Sequence, residues 1–331
     1  MIRRLIRSRE FGILVILLVM ALGLELRFRS LHGQTFFSLY NIERIASDFS
    51  FVALAAIGGA IVILTGGIDL SSGSMMALGA TGIAFAYVTL GLSPLVALTL
   101  VLLVGLLLGG ANGVLHAKVG LPPFIATLGM LWIARGLAFT LAPLSLTITW
   151  DSESANSPWL LETLGEGTIF YLIGVTVLTT LFMSLTRWGR YIYAIGGNEE
   201  ASRFSGVPVN RVKIAVYALA GLFSALAGAA LALSVGAAHS GTARGYELNI
   251  IAAAVVGGTS LSGGQGSIPG AALGALVLQL LRELLILYEV EDQYIQVVYG
   301  IAILAAVALD QLARRGTLRG IFRGIFRKGN L

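Results

Sequence analysis

"FVALAAIGGAIVILTGGIDLSSGSMMALGATGIAFAYVTL", Phe51 to Leu90, contains two apolar runs separated by a polar break. The break itself, "TGGIDLSSGS" from Thr65 to Ser74, carries one Asp, four hydroxyl side chains and three glycines. Glycine ends a helix at little cost because it tolerates positive φ, and Asp69 or Ser71 can accept from the N–H groups left open at the head of the next helix. The stretch therefore predicts one helix stopping and another starting within an apolar chain. Backbone that is not helical persists at membrane depth only where it is packed in protein or lines water. This break is expected inside a bundle, away from lipid.

Working outward, the 331 residues are 56% hydrophobic and only 12% charged, against about 25% charged in soluble domains. Apolar tracts near twenty residues long recur along the chain, each sufficient for about 30 Å of hydrocarbon. The fold class that follows is an all-α polytopic membrane protein, one transmembrane domain over residues 1–331. Ten spans are predicted, over 11–26, 50–66, 72–90, 94–114, 122–141, 168–185, 212–234, 249–263, 267–287 and 294–309, some of them discontinuous. The basic start "MIRRLIRSRE", residues 1–10, precedes an apolar run with no small-residue cleavage site, which predicts an uncleaved first span. The chain has no cysteine, which excludes disulfides and thiolate metal sites.

Short cytoplasmic loops collect Lys and Arg. With ten spans and the N-terminus inside, sixteen of the twenty-two cations fall on the inner side, so both termini are expected in the cytoplasm. Four, Arg27, Arg29, Arg44 and Arg244, fall outside, and Arg135 and Arg282 lie within spans. The net charge of +5 thus reflects topology and not nucleic-acid binding. The longest outer connection, Pro143 to Gly167, carries Trp150, Pro158 and Trp159; tryptophans of this kind anchor a loop at the membrane surface, and a docking surface for an outside partner is the alternative.

The polar break has an echo. "GGIDLSSGSMMALGA", Gly66 to Ala80, resembles "GGTSLSGGQGSIPGAALGA", Gly257 to Ala275, which suggests an internal repeat. Paired Gly-interrupted segments in two halves of a chain point to the working centre of a transporter.

The predicted inner loop over 186–211 contains "GGNEEASRFSGVPV". Asn198 can cap a short helix whose first turn holds Glu199 and Glu200, suited to the positive end of the helix dipole, and Gly206 with Pro208 stops it after about two turns. A short, charged surface helix between two spans is a docking element. The stretch Thr186 to Gly228 resembles the cytoplasmic loop of ABC importer permeases of the ribose, xylose and galactose type. Glu200, Ala201, Ser202 and Gly206 match the Glu-Ala-Ala, three residues, Gly pattern by which such permeases dock on their ATPase, with Ser in the third position. "ILTGGIDLSSGSMMALGA", "PPFIATLGMLWIARGLAFTLA" and "VVGGTSLSGGQGSIPGAALGALVLQLL" resemble the same family, so the likeness runs from Ile63 to Leu281.

The resemblance implies a membrane subunit of an ATP-driven importer for a monosaccharide or similar small polar solute, working by alternating access. The implied partners are a cytoplasmic ATPase, a second permease copy and a solute-binding protein outside. The coupling loop would comprise Gly197, Asn198, Glu199, Glu200, Ala201, Ser202, Arg203 and Gly206. No phosphate-binding "GxxxxGK[ST]" loop occurs, so ATP and Mg are expected on the partner ATPase and no cofactor on this chain. The three histidines, His32, His116 and His239, are placed in separate connections, and clustered His and carboxylates for an intramembrane enzyme are missing. An ion-coupled secondary transporter, with Asp69 and Glu283 as carriers, and an ABC permease for nucleosides or amino acids are the alternatives.

Ionisable groups within spans are costly and mark candidate sites. Arg135 and Glu283 lie about 21 and 24 Å from the inner face at 1.5 Å per residue; they are expected to pair, or else to reach the outer interface independently. Asp69, with Ser71 and Ser74 beside it, either caps the third span or faces the transport route. Asn112, Thr127 and Gln279 suit sugar hydroxyls, though each could equally bond helix to helix. At the C-terminal end, within the basic tail 310–331, "RGIFRGIF" aligns Arg319, Arg323 and Arg327 beside Phe322 and Phe326, a basic segment suited to an anionic lipid leaflet.

Overall fold

The computed structural model describes residues 9–148 and 159–314. The basic start before Arg9, the loop carrying Trp150 and Pro158, and the tail with its Arg319 to Phe326 repeat lie outside the described residues. Thirteen helices are described: α1 (Arg9–His32), α2 (Leu39–Leu64), α3 (Ser72–Ala84), α4 (Pro94–Ala117), α5 (Pro123–Leu141), α6 (Trp159–Glu166), α7 (Thr168–Leu185), α8 (Arg187–Gly197), α9 (Glu199–Phe204), α10 (Val209–Val235), α11 (Tyr246–Val256), α12 (Ile268–Leu287) and α13 (Asp292–Arg314). A π-helical turn, Phe85–Thr89, extends α3. Two short strands, β1 (Leu146–Thr147) and β2 (Ala237–Ala238), pair antiparallel with Leu146 opposite Ala238.

Each predicted span falls on a helix, and six helices are long and apolar enough to cross a membrane by length and composition: α2, α4, α5, α7, α10 and α12. The predicted boundaries shift where hydropathy is a poor guide. Helix α2 begins at Leu39, so Arg44 and Asp48, placed in an outer connection by hydropathy, stand on its first turns. The predicted span 249–263 is corrected to the eleven-residue α11, which ends at Val256. At 1.5 Å per residue it rises about 16 Å, half a bilayer core. Gly257 and Gly258 end it, with Gly258 at φ +88°.

The centre of the bundle is α2, buried along almost its whole length from Phe51 to Leu64, and α10, which packs against α2, α3 and α4. Lipid tails are as apolar as leucine, so helices in a membrane associate through close packing of small residues. Gly105, Gly109 and Gly113 recur every fourth residue on one face of α4. A Cβ on Gly113 would come within 2.6 Å of the Ile214 Cα, and one on Gly109 would collide with the Tyr217 carbonyl. Gly79 and Gly228 make similar backbone crossings between α3 and α10. The outer faces of α4, α5 and α7 expose Leu107, Trp132, Phe170 and Leu178, large apolar groups suited to lipid contact.

Candidate functional site: a short charged helix against two broken-helix loops

The two echoed stretches fold as loops between successive helices, α2 to α3 and α11 to α12, and they touch. The Gly264 N–H donates to the Leu64 carbonyl at 2.9 Å. Both are packed in protein: Thr65, Asp69, Ser71, Thr259 and Ser260 are all buried.

In the first loop Gly66 takes φ +82°, and Asp69 Oδ1 accepts from the Ser71 N–H at 2.8 Å and the Ser71 hydroxyl at 2.6 Å. Asn112 of α4 donates from Nδ2 to the same Ser71 oxygen at 3.0 Å. Asp69 is 4% exposed, Ser71 and Asn112 not at all. This knot pairs Asp69 Oδ1, the Ser71 N–H and hydroxyl and Asn112 Nδ2, groups that would each cost roughly 1–3 kcal/mol if buried unpaired, while Asn112 Oδ1 has no hydrogen-bond partner. Ser71 was expected as an alternative capping acceptor for α3, but its side chain makes no capping bond; its hydroxyl is spent on Asp69. Ser74 is fully buried with no hydrogen-bond partner for its hydroxyl. Thr127 donates to the Pro123 carbonyl of its own helix at 2.9 Å.

The second loop is built on glycines at positive φ, Gly258, Gly263, Gly264 and Gly266, and ends where Ser267 Oγ accepts from the Gly270 N–H at 3.1 Å and caps α12. Tyr193 of α8 donates to the Gly266 carbonyl at 3.1 Å. Between Tyr193 and this loop lies a cavity of about 370 Å³. Gly196, near the end of α8, sits where the loops meet, and a Cβ there would collide with the Leu64 carbonyl and the Gly264 amide.

Straight after Gly197, Asn198 Oδ1 accepts from the Ala201 N–H at 2.9 Å and caps α9. Ser202 donates to the Asn198 carbonyl at 2.8 Å and is buried. Gly206 at φ +81° ends the segment after six helical residues. Glu200, Ala201, Arg203 and Phe204 face outward, Phe204 85% exposed. The underside is clamped by charge. Glu199 Oε2 accepts from Lys213 Nζ at 2.7 Å, and Arg203 reaches Glu199 Oε1 at 3.2 Å. Lys213, near the start of α10, also lies 3.1 Å from His116 Nε2, while His116 Nδ1 lies 2.9 Å from the Leu121 carbonyl. With Nδ1 donating to that carbonyl, Nε2 is left to accept from the ammonium. Burial pushes the Glu199 carboxyl up, but the neighbouring Lys213 and Arg203 charges more than offset it and hold the group below the ordinary carboxylate range. His116 belongs to the last turn of α4, not to a connection.

The expected pairing of Arg135 with Glu283 does not form. Arg135 Nη1 donates to the carbonyls of Ser240 and Thr242 at 2.7 and 2.8 Å, holding the chain before α11 against α5. The Glu283 carboxylate is taken by Arg44, in two bonds of 3.0 and 2.7 Å, and by Gln279 Nε2 at 3.0 Å. Hydropathy places Arg44 in a loop, whereas the early start of α2 lays it against α12. Among the described residues no group of three His, Asp or Glu side chains is placed to hold a metal ion.

Residues 41–307 match the family model described as branched-chain amino acid transport system / permease component. The chain belongs to this permease family. The permease is 41% identical to the ribose import permease protein RbsC of Escherichia coli over 283 residues, 84% of this chain and 88% of that protein. It is 39% identical to the ribose import permease protein RbsC of Bacillus subtilis over 292 residues, 85% and 88% of the two chains. Against the fructose import permease protein FrcC of Rhizobium meliloti it is 35% identical over 324 residues, 95% and 89%. No solved structure matches the permease significantly. As a permease it is a transport component, not an enzyme. Lys213, His116 and Arg44, which stand in its charge clusters, and Phe204, on the exposed face of α9, are not among the candidate residues of the sequence. Phe204, an aromatic on a short charged helix, carried the one local signal.

Proposed function

We propose that this permease is the membrane-spanning subunit of an ABC importer that passes a monosaccharide or similar small polar solute into the cytoplasm by alternating access. Ribose and fructose permeases among its relatives support the substrate class. The observation that carries the mechanism is α9: a capped six-residue helix whose outer face presents Glu200, Arg203 and Phe204 while its inner face is clamped through Glu199, Lys213 and His116. A lever needs an exposed grip and a stiff attachment, and α9 has both. It leads, through Gly196 and Tyr193, to the junction of the two broken-helix loops.

In this reading the chain crosses the cytoplasmic membrane of a prokaryote ten times, with both termini inside and the two loops related as an internal repeat. Two copies, identical or closely similar, enclose the route, with Asp69, Ser71, Ser74, Asn112, Arg135, Gln279 and Glu283 around it. A cytoplasmic ATPase receives α9 and binds ATP and Mg; a soluble binding protein delivers the solute from outside; the Arg319 to Phe326 segment rests on the inner leaflet.

The test is Glu200→Arg, with Phe204→Ala as its milder companion. Reversing the charge on the exposed face should abolish ATP-dependent uptake, and Phe204→Ala should weaken co-purification of the ATPase about tenfold, while both variants remain folded in the membrane. Undiminished uptake by Glu200→Arg would remove α9 from the coupling role. Uptake under an ion gradient with no ATPase would instead favour a secondary transporter.

A further inference from the structure

A cavity of about 540 Å³ opens among α2, α11, α12 and α13, within the roughly 300–1,000 Å³ of small-molecule sites. Most of its wall comes from those helices, with Leu231 of α10 and the connection at Arg244 and Gly245 completing it. Asp48, Phe51 and Val52 of α2 line it at helical spacing, as do Tyr246 and Asn249 of α11. Ala275, Leu278, Gln279 and Arg282 of α12 and Gln296, Tyr299 and Gly300 of α13 follow the same i, i+3, i+4 rule. Four helices contribute to a shared space that stays open on one side, where Leu248 is 55% exposed.

The inner wall is pre-set. Arg44 grips the Glu283 carboxylate from one side with two hydrogen bonds, and Glu283 accepts from Gln279 Nε2. That bond uses the amide nitrogen, so the Gln279 carbonyl oxygen is the end left to accept from a ligand. Gln279 is 7% exposed and Glu283 6%; these are deep groups held in one orientation. Tyr299 donates its hydroxyl to the Leu278 carbonyl at 3.1 Å, which fixes its ring along the wall. Asp48 lies 3.4 Å from Arg44, and Arg244 and Arg282 line the same space.

We propose that this chamber is a binding station for a monosaccharide within each permease copy, with Gln279 and Asn249 taking hydroxyl groups and Tyr246 and Tyr299 facing the apolar side of the ring. Arg44 and Glu283 are positioning residues that act through Gln279. A ligand rich in hydroxyls can bond the Gln279 and Asn249 amides and the Arg244 and Arg282 guanidinium groups that line the space, whereas a lipid tail would desolvate them and offer no hydrogen bond. The inference rests on the importer reading and adds a location to it.

The chain has no cysteine, which permits a clean test. Gly300 lines the chamber, and a Cβ there meets nothing within 4 Å, so Gly300→Cys is expected to fold and to place its thiol in the space. Leu39→Cys, at the 73% exposed head of α2 and off the chamber wall, is the control. Each is reconstituted in proteoliposomes with the ATPase and binding protein, and uptake of D-ribose and D-fructose is measured before and after a bulky methanethiosulfonate label, then after reduction. Labelling Gly300→Cys should cut uptake at least tenfold, reduction should restore it, ATP hydrolysis should continue, and labelled Leu39→Cys should stay within twofold. Gln279→Leu should raise the half-saturating sugar concentration about tenfold, and Glu283→Gln, which can keep an acceptor towards Gln279, less. Full uptake by labelled Gly300→Cys, with an active cysteine-free parent, overturns the chamber alone. A parent that assembles and hydrolyses ATP yet moves neither sugar overturns the importer reading and the chamber's ligand with it.

Discussion

The loops Thr65–Ser71 and Gly257–Ser267 carry nearly the same letters and solve the same problem, a helix broken within an apolar bundle, in two different ways. The first closes on itself. Asp69, Ser71 and Asn112 share their hydrogen bonds, and one glycine, Gly66, takes positive φ. The second has no carboxylate; four glycines at positive φ shape it, and its Gly266 carbonyl is held by Tyr193 of the neighbouring helix. The difference lies in where the bonding partners come from: the first loop is tied to α4 inside the bundle, the second to the segment that leads into α9. A loop fastened from outside responds to whatever moves its fastener. In the proposed mechanism the second loop follows α9, and the first serves as the fixed surface it moves against.

Breaking the contact between the loops should have the largest effect. Gly196→Val places a side chain against the Leu64 carbonyl and Gly264 amide, backbone that cannot step aside. It should cost about 3 kcal/mol as overpacking, seen as a lower thermal denaturation midpoint in detergent, and should abolish coupled uptake. A parental midpoint for this variant would mean that the loops do not meet.

The next effect separates the two loops. Asp69→Ala leaves the Ser71 N–H and hydroxyl without their acceptor and should cost about 2 kcal/mol, whereas Ser267→Ala in the second loop removes one capping bond, about 1 kcal/mol. Asp69→Asn retains an acceptor oxygen and sharpens the comparison further. Near-parental uptake and stability for Asn would assign Asp69 to capping; a stable but inactive Asn variant would assign its charge to the route.

The smallest effect concerns the clamp beneath α9. Glu199 titrates below its ordinary value of 4.5 because of Lys213 and Arg203, despite the opposing effect of burial. A lowered folded-state pKa contributes stability that is present above the unfolded value and lost as pH falls through the folded one. The parent's denaturation midpoint should therefore fall more steeply below pH 4.5 than that of Glu199→Gln. Parallel curves would show that the clamp adds nothing measurable, which a partly exposed ion pair makes a fair contest.

Much of this was legible along the chain. The apolar tracts marked the long helices though not α6 or α8, Asn198 marked the start of α9, and the echo picked out the two loops. Those features are local: periodicity, caps and turns depend on neighbours within a few residues. The ends of α1 and α2 differ from the predicted ones because hydropathy does not detect helix continuing through polar residues such as Glu43 and Arg44, and α11 stops short of its predicted end because Gly257 and Gly258 break it.

What the sequence alone determined is therefore an apolar helical chain of a permease family, its long helices and the short capped helix α9. Only the tertiary structure decided who pairs with whom. Glu283 found Arg44, 239 residues away in sequence, and not Arg135; Glu199 found Lys213 and, beyond it, His116. A charge buried among helices selects whichever opposite group packing brings within hydrogen-bond reach. That distance is a property of how α2 crosses α12, which no short stretch of residues encodes.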